Sequence, residues 1–147
     1  MNSTMTVAKT TPNLQTGELT TVRYQPANPR KNGEALGPWA EGLVADYLTE
    51  LGWQIIARNW RCNIGEIDLI ALDPSVGVVF VEVKCRTGLG FGDPLEAITY
   101  RKQHRLRQLA ACWLAEQPTK RMPVRMDAIG VLAKRGHMVR ISHLRGI

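Results

Sequence analysis

Two short runs of this sequence hold the residue types that hydrolytic chemistry at phosphorus needs. The first is Gly65-Glu66-Ile67-Asp68-Leu69-Ile70; the second, after a turn, is Val79-Phe80-Val81-Glu82-Val83-Lys84. Alternate side chains of a strand share a face. Glu82 and Lys84 therefore point one way, while Val81, Val83 and Cys85 point into the core. By the same rule Glu66 and Asp68 share a face, and Ile67, Leu69 and Ala71 share the other. So short a turn predicts antiparallel neighbours. If their polar faces coincide, Asp68 and Glu82 converge on one point.

Two carboxylates held close repel, and burial raises the cost of charging both. A hard divalent cation removes the conflict, and Mg²⁺ takes a few carboxylate oxygens with water and phosphate completing its octahedron. Such a site suits phosphodiester hydrolysis, because the cation stabilises charge on the phosphorane-like transition state and lowers the pKa of a bound water. Lys84, one alternate position along, can orient or deprotonate that water, or neutralise developing charge.

The flanking sequence supplies elements to hold these runs. Trp39, Leu43, Val44, Tyr47, Leu48 and Leu51 recur at helical spacing, with Pro38 tolerated in a first turn and Gly52 as a stop. Strands are predicted over Trp53 to Asn59, Glu66 to Leu72 and Val78 to Arg86, with Asp73-Pro74-Ser75 and Gly77 turning the chain between the last two. A glycine-containing loop leads to a second helix from about Thr99 to Glu116. Its apolar stripe is Leu106, Leu109, Ala110, Trp113 and Leu114, and its other face carries Arg101, Lys102, Arg105 and Arg107. Val124 to Leu132 and Val139 to Leu144 close the chain as two strands. The order α-β-β-β-α-β-β predicts an α/β fold with a mixed central sheet flanked by helices.

Residues 1–35 are rich in Thr, Asn, Pro and Gly and read as a flexible N-terminal arm, with an extended stretch around Thr20 to Tyr24. The basic residues Arg23, Arg30 and Lys31 can touch phosphates there, though a solvated arm is the commoner case. The domain proper then spans residues 36–147.

The motifs carry a resemblance. Ile67-Asp68, a turn, and Glu82-Val83-Lys84 resemble the PD-(D/E)xK signature of the restriction-endonuclease-like nuclease superfamily, with Ile67 where the signature has Pro. More specifically, Ala40-Glu41-Gly42-Leu43, Ala57-Arg58-Asn59-Trp60-Arg61, Gly65-Glu66-Ile67-Asp68, Phe80-Val81-Glu82-Val83-Lys84 and Arg101-Lys102-Gln103 resemble the bacterial YraN-type family. That family is classed as endonuclease-like and is similar to archaeal Holliday-junction resolvases. The resemblance runs over roughly residues 36 to 130 and implies a restriction-endonuclease-like core. It also implies that Glu41 reaches the metal through water, that Gln103 faces the site, and that Asp127 fills a fourth-strand acidic position. Three departures leave every implied ligand in place: Ala40 for Gly, Cys85 for Thr and Tyr100 for Pro.

Each reading has a plainer rival. An E-x-K triplet on a strand is usually a solvated cross-strand pair. Glu66 reads better as a salt-bridge partner of Arg58 or Arg61 than as a ligand. Asp127 also fits a strand-edge charge or a partner for Lys84, and Gln103 a surface residue. Arg58, Arg61, Arg86, Arg101, Lys102 and Arg105 form either a phosphate-contact surface or a solvated face. His104, His137 and His143 have no metal-site spacing and read as surface residues. Trp39, Trp53, Trp60 and Trp113 read as core.

Composition sets the remaining bounds. The chain has 147 residues, 44% hydrophobic and 22% charged, which suits one globular domain. Lys and Arg outnumber Asp and Glu by 19 to 13, a surplus that favours a polyanionic partner. Cys62, Cys85 and Cys112 make no disulfide framework or metal knuckle, and neither a signal peptide nor an apolar span is evident, so a cytoplasmic address is expected. The expectation is a Mg²⁺- or Mn²⁺-dependent endonuclease acting on DNA, with branched or junction DNA among the candidate substrates. Asp68, Glu82 and Glu41 would hold the metal, Lys84 the nucleophile, and Gln103 the orientation of the site. A homodimer follows only by analogy with resolvases. The alternative is a nucleic-acid-binding module on a nuclease scaffold with weak or lost catalysis.

Overall fold

The computed structural model describes residues 4–13, 17–88, 90, 92–118 and 122–147. The strands are β1 (Thr4–Asn13), β2 (Gly17–Gln25), β3 (Gln54–Cys62), β4 (Gly65–Asp73), β5 (Gly77–Arg86), β6 (Val124–Leu132) and β7 (Val139–Arg145). The helices are α1 (Leu36–Glu50) and α2 (Tyr100–Ala115), with a short 3-10 turn at Pro94–Ala97. The strands form one seven-stranded sheet in the order β1-β2-β7-β6-β5-β4-β3. All neighbours are antiparallel except β5 and β6. A parallel pair needs a long crossover, and α2 lies within it.

The central strands of the sheet are buried on both faces because a helix covers each. On one face α1 packs Ala40, Leu43, Val44, Tyr47 and Leu48 against Leu69, Ala71, Val81, Val83, Ile129 and Ile141. On the other, Leu106, Leu109, Ala110 and Trp113 of α2 meet Ile67, Ile70, Val78 and Phe80. Helical spacing of the apolar residues fixes which face of each helix is hidden. Thr99 caps α2, its side chain accepting from the backbone N–H of Lys102. Among the described residues no helix is long and apolar enough to cross a membrane.

The reading of residues 1–35 as a flexible arm is corrected where the structure describes them. β2 pairs with β7 from Leu19↔Leu144 to Tyr24↔Val139, and β1 pairs with β2 in turn. Val22 and Tyr24 are buried in the α1-side core, which is what anchors β2. The expected extended stretch, Thr20 to Tyr24, lies inside β2.

Two further expectations fail. His143 is fully buried rather than at the surface. Asp127 is neither a strand-edge charge nor a partner of Lys84: it is fully buried and takes a hydrogen bond from each of several donors. Arg125 Nε lies 2.7 Å from its Oδ1 and Arg125 Nη2 2.9 Å from Oδ2. His143 Nε2 lies 2.8 Å from Oδ2, and the Gly146 N–H donates to Oδ1 at 3.1 Å. His143 Nδ1 faces the Tyr47 hydroxyl at 3.1 Å, so the chain ties α1 to β6 and β7. A neutral imidazole satisfies both contacts, donating from Nε2 and accepting at Nδ1. Trp53 and Trp113 are buried as expected, while Trp39 and Trp60 are half-buried against the two cores.

Candidate metal centre

The site forms where β4 and β5 part. Their ladder runs from Asp73↔Gly77 to Leu69↔Val81 and stops there. Beyond it β4 stays with β3, pairing Ile67 with Trp60 and Glu66 with Arg61, while β5 stays with β6, pairing Glu82 with Ala128 and Lys84 with Gly130. Asp68 sits at the fork. Its Oδ2 accepts from the Val83 N–H at 2.8 Å, so a carboxylate replaces the carbonyl that a continued ladder would have supplied.

The β3–β4 pair carries a register shift between Ile55 and Ala57, and β4 itself departs from strict alternation near Asp68. Ile67 packs on the α2 side, whereas Leu69 and Ala71 pack on the α1 side. The three were expected to share a face, so this is a correction. Opposite this stretch Asn59 adopts a left-handed backbone at φ 50°, a conformation that Asn tolerates better than most residues. With its nitrogen turned to the acids, the Asn59 amide donates to Glu66 Oε1 at 2.8 Å and to Glu41 Oε2 at 2.9 Å. Asn59 thus joins the site from β3. Sequence reasoning did not single it out, although a strand-avoiding Asn inside a strand was the available signal.

One carboxylate oxygen each from Glu41, Glu66 and Asp68 lies within 4.8 Å of the others. Glu41 comes from the second turn of α1 and the other two from β4. Glu66 also pairs with Arg61 at 2.7 Å, the ion pair expected from sequence, so it holds both positions at once. Glu82 stands outside that trio but against Asp68, and Lys84 Nζ lies 3.8 Å from Glu82 Oε1. Lys102 of α2 lies against Lys84 and within electrostatic reach of Glu82. Gln103 is half-buried on α2, and its side chain makes no hydrogen bond to the acids among the described residues. Asp127 lies outside the cluster.

The electrostatics are those of acids short of positive charge. Burial, then the charge of Asp68, pushes Glu82 up to about 7. Burial also raises Asp68, against the Val83 N–H and Lys84, which pull it down. Glu41 is raised by burial and then by Asp68 and Glu66. Desolvation, then Lys84, lowers Lys102. A donor set of carboxylate oxygens alone, mutually destabilised in their charged forms, fits a hard divalent cation such as Mg²⁺ or Mn²⁺. Glu41, Glu66 and Asp68 are the residues placed to hold it, with Glu82 adjoining.

The expected phosphate-contact residues differ in exposure and surroundings, and Arg58 lines a separate concavity with Pro26, Trp39 and Asp46. Arg58, Arg101, Lys102 and Arg105 are exposed, Arg61 is 78% exposed beyond its ion pair, and Arg86 is half-buried. Arg105 donates to the Ile64 carbonyl in the β3–β4 turn, tethering α2 to that arm of the fork.

A mixed-sheet α/β protein with an acid cluster at a strand fork is the class that the fold and geometry define. The model of the Uncharacterised protein family UPF0102 matches residues 40–131, a span that contains Glu41, Asn59, Glu66, Asp68, Glu82, Lys84 and Gln103. A UPF0102 protein of Nocardia farcinica is 49% identical over 114 residues, covering 78% of this chain and 89% of its own. UPF0102 proteins of Mycobacterium avium and Mycobacterium tuberculosis are each 49% identical, over 113 and 116 residues. Each covers 76% of this chain, and 88% and 91% of its own. The chain belongs to the UPF0102 family, the YraN-type family that its motifs resemble.

Proposed function

We propose that this protein is a Mg²⁺- or Mn²⁺-dependent nuclease that hydrolyses phosphodiester bonds in DNA, on a restriction-endonuclease-like core. The observation that carries the reading is the convergence of Glu41, Glu66, Asp68 and Glu82 on the fork between β4 and β5, with Lys84 beside them. A cation held there would supply charge neutralisation at the reacting phosphate and a water of lowered pKa. The chain's own residues do the rest. Asp68 is held in place by the Val83 N–H, and Asn59 holds Glu41 and Glu66. Glu82 and Lys84 orient the attacking water on the shared face of β5, and Lys84 with Lys102 faces the charge that develops on phosphate oxygen. Arg58, Arg61, Arg86, Arg101 and Arg105 contact backbone phosphates, and nothing in the set reads base edges, so cleavage is sequence-nonspecific.

The ion pairs Arg61–Glu66 and Lys84–Glu82 favour a second reading, because they neutralise acids without any cation. In it the protein binds nucleic acid and does not cut. Incubating the purified protein with plasmid, single-stranded and four-way-junction DNA, with and without Mg²⁺ or Mn²⁺, separates the two. Cleavage that needs the ion and disappears with EDTA is the expected result. Salt-sensitive binding with no cut on any substrate would leave the second reading standing instead.

A further inference from the structure

A second feature of the molecule lies apart from the acids. The segment after β2 and the turn between β6 and β7 face each other across a cleft of about 550 Å³. Arg30 and Lys31 line one wall and Lys134, Arg135 and His137 the other, and no Asp or Glu lines it among the described residues. A smaller concavity of about 330 Å³ shares Lys134 and His137 and extends the basic surface to Arg23. Like charges gathered this way repel one another. Lys31 and Lys134 form no side-chain ion pair among the described residues; the nearby Glu34 carboxylate accepts from the Lys31 backbone N–H at 2.9 Å.

Hydrogen bonds link the two walls to each other and to the elements behind them. Arg135 Nη2 donates to Asn32 Oδ1 across the cleft at 2.7 Å. The Trp39 indole N–H donates to the Asn28 carbonyl at 3.1 Å, and Arg30 Nη1 to the Glu34 carbonyl at 3.0 Å. The Ala133 N–H reaches the Arg86 carbonyl at 2.8 Å, which ties the β6 end of the wall to β5. Pre-ordering of this kind lowers the entropic cost of gripping a ligand. Thr87, which lines the cleft, follows Lys84 by three positions, or about 10 Å along the chain at ordinary strand rise.

We propose that this cleft is a second nucleic-acid backbone contact, in which Arg30, Lys31, Lys134 and Arg135 hold phosphates of the strand leading away from the acid cluster. The proposal rests on the reading of the protein as one that acts on DNA. It favours phosphate contact for the basic residues before α1, which from sequence is the less common of two readings beside a solvated arm. An open cleft with cations on both walls suits the backbone of a DNA duplex, which carries a phosphate about every 3.4 Å of helix axis on each strand.

The test measures binding of a labelled DNA duplex by fluorescence anisotropy across a salt series without divalent ions. It compares wild type with Lys31→Glu/Lys134→Glu and with the milder Lys31→Ala/Lys134→Ala. Both lysines are exposed, and an unchanged Tm checks that the fold is kept. The expected result is at least about tenfold weaker binding by the charge-reversed variant, and a log–log salt slope shallower by about 2 for either variant. Unchanged affinity and slope in both variants, with wild type binding normally, would overturn this inference alone. If wild type binds no DNA, the reading it rests on fails with it. Displacement of DNA by a mononucleotide or by polyglutamate at matched ionic strength overturns the assignment in favour of a free phosphate or an acidic polypeptide.

Discussion

Asp68→Asn is expected to lower DNA cleavage by at least about 10²-fold, the scale on which single preorganised electrostatic groups act in catalysis. Asn is nearly isosteric and keeps an oxygen that can accept the Val83 N–H, so the fork between β4 and β5 is expected to persist. What it loses is the charge at the centre of the cluster, in contact with Glu82 and within reach of Glu41 and Glu66. Single-turnover cleavage by both proteins, alongside their circular dichroism and Tm, measures the effect. A folded Asp68→Asn protein that cuts as fast as wild type would remove Asp68 from the chemistry.

Asp127→Ala is expected to destabilise the fold by about 3–5 kcal/mol, which is the usual cost of removing one partner from a buried ion pair. It leaves Arg125 half-buried without its principal acid, and strips His143 of its acceptor and Gly146 of its oxygen. For a chain of this size that is a fall in Tm of about 10 °C or more. His143→Phe keeps the Asp127–Arg125 pair and is expected to cost less.

The same group makes stability depend on pH. Burial, against the opposing pull of Asp127, holds the His143 imidazole below its ordinary value of 6.5. The unfolded chain therefore takes up the proton first as pH falls below about 6.5, and stability declines from there. Despite burial, Asp127 is held below its ordinary 3.8 by His143 and Arg125. It adds stability that is present above that value and lost as pH falls through its lower folded one. Glu82, pushed up to about 7, shifts stability the other way over the same range, so the His143 part is read as the difference between wild type and His143→Phe in urea unfolding from pH 8 downward. A difference that stays flat below pH 6.5 would contradict the assignment.

The elements around the site were legible because their apolar spacing is strong. Val78 to Arg86 and Val124 to Leu132 are buried on both faces over much of their length and read as strands with little ambiguity. β2 was not legible in the same way. It offers only Val22 and Tyr24 to the core, and its partner β7 lies more than a hundred residues away in the chain. Alternation did contain the answer for Asp127 and His143. Asp127 shares parity with Ile129 and Val131, and His143 with Val139 and Ile141, all of which pack on the α1 side. Residue type argued for the surface, but period decided. At the site, the acids of β4 and β5 were legible from parity, whereas the part taken by Asn59 and the double duty of Glu66 arise from a local break in that parity. No repeat of two can foretell such a break.

Asp68 and Glu82 entered as two acids on neighbouring strands, and the fold places them at a fork with Glu41, Glu66 and Asn59 around them. Whether a cation sits there is directly measurable. Crystals of the protein soaked in Mn²⁺ and recorded at a wavelength where manganese scatters anomalously should show one principal peak at the fork. It should be coordinated by oxygens of Asp68 and of at least one of Glu41, Glu66 and Glu82, and be absent from Asp68→Asn crystals. A difference map with no anomalous peak at the fork, or one unchanged by Asp68→Asn, would contradict the account.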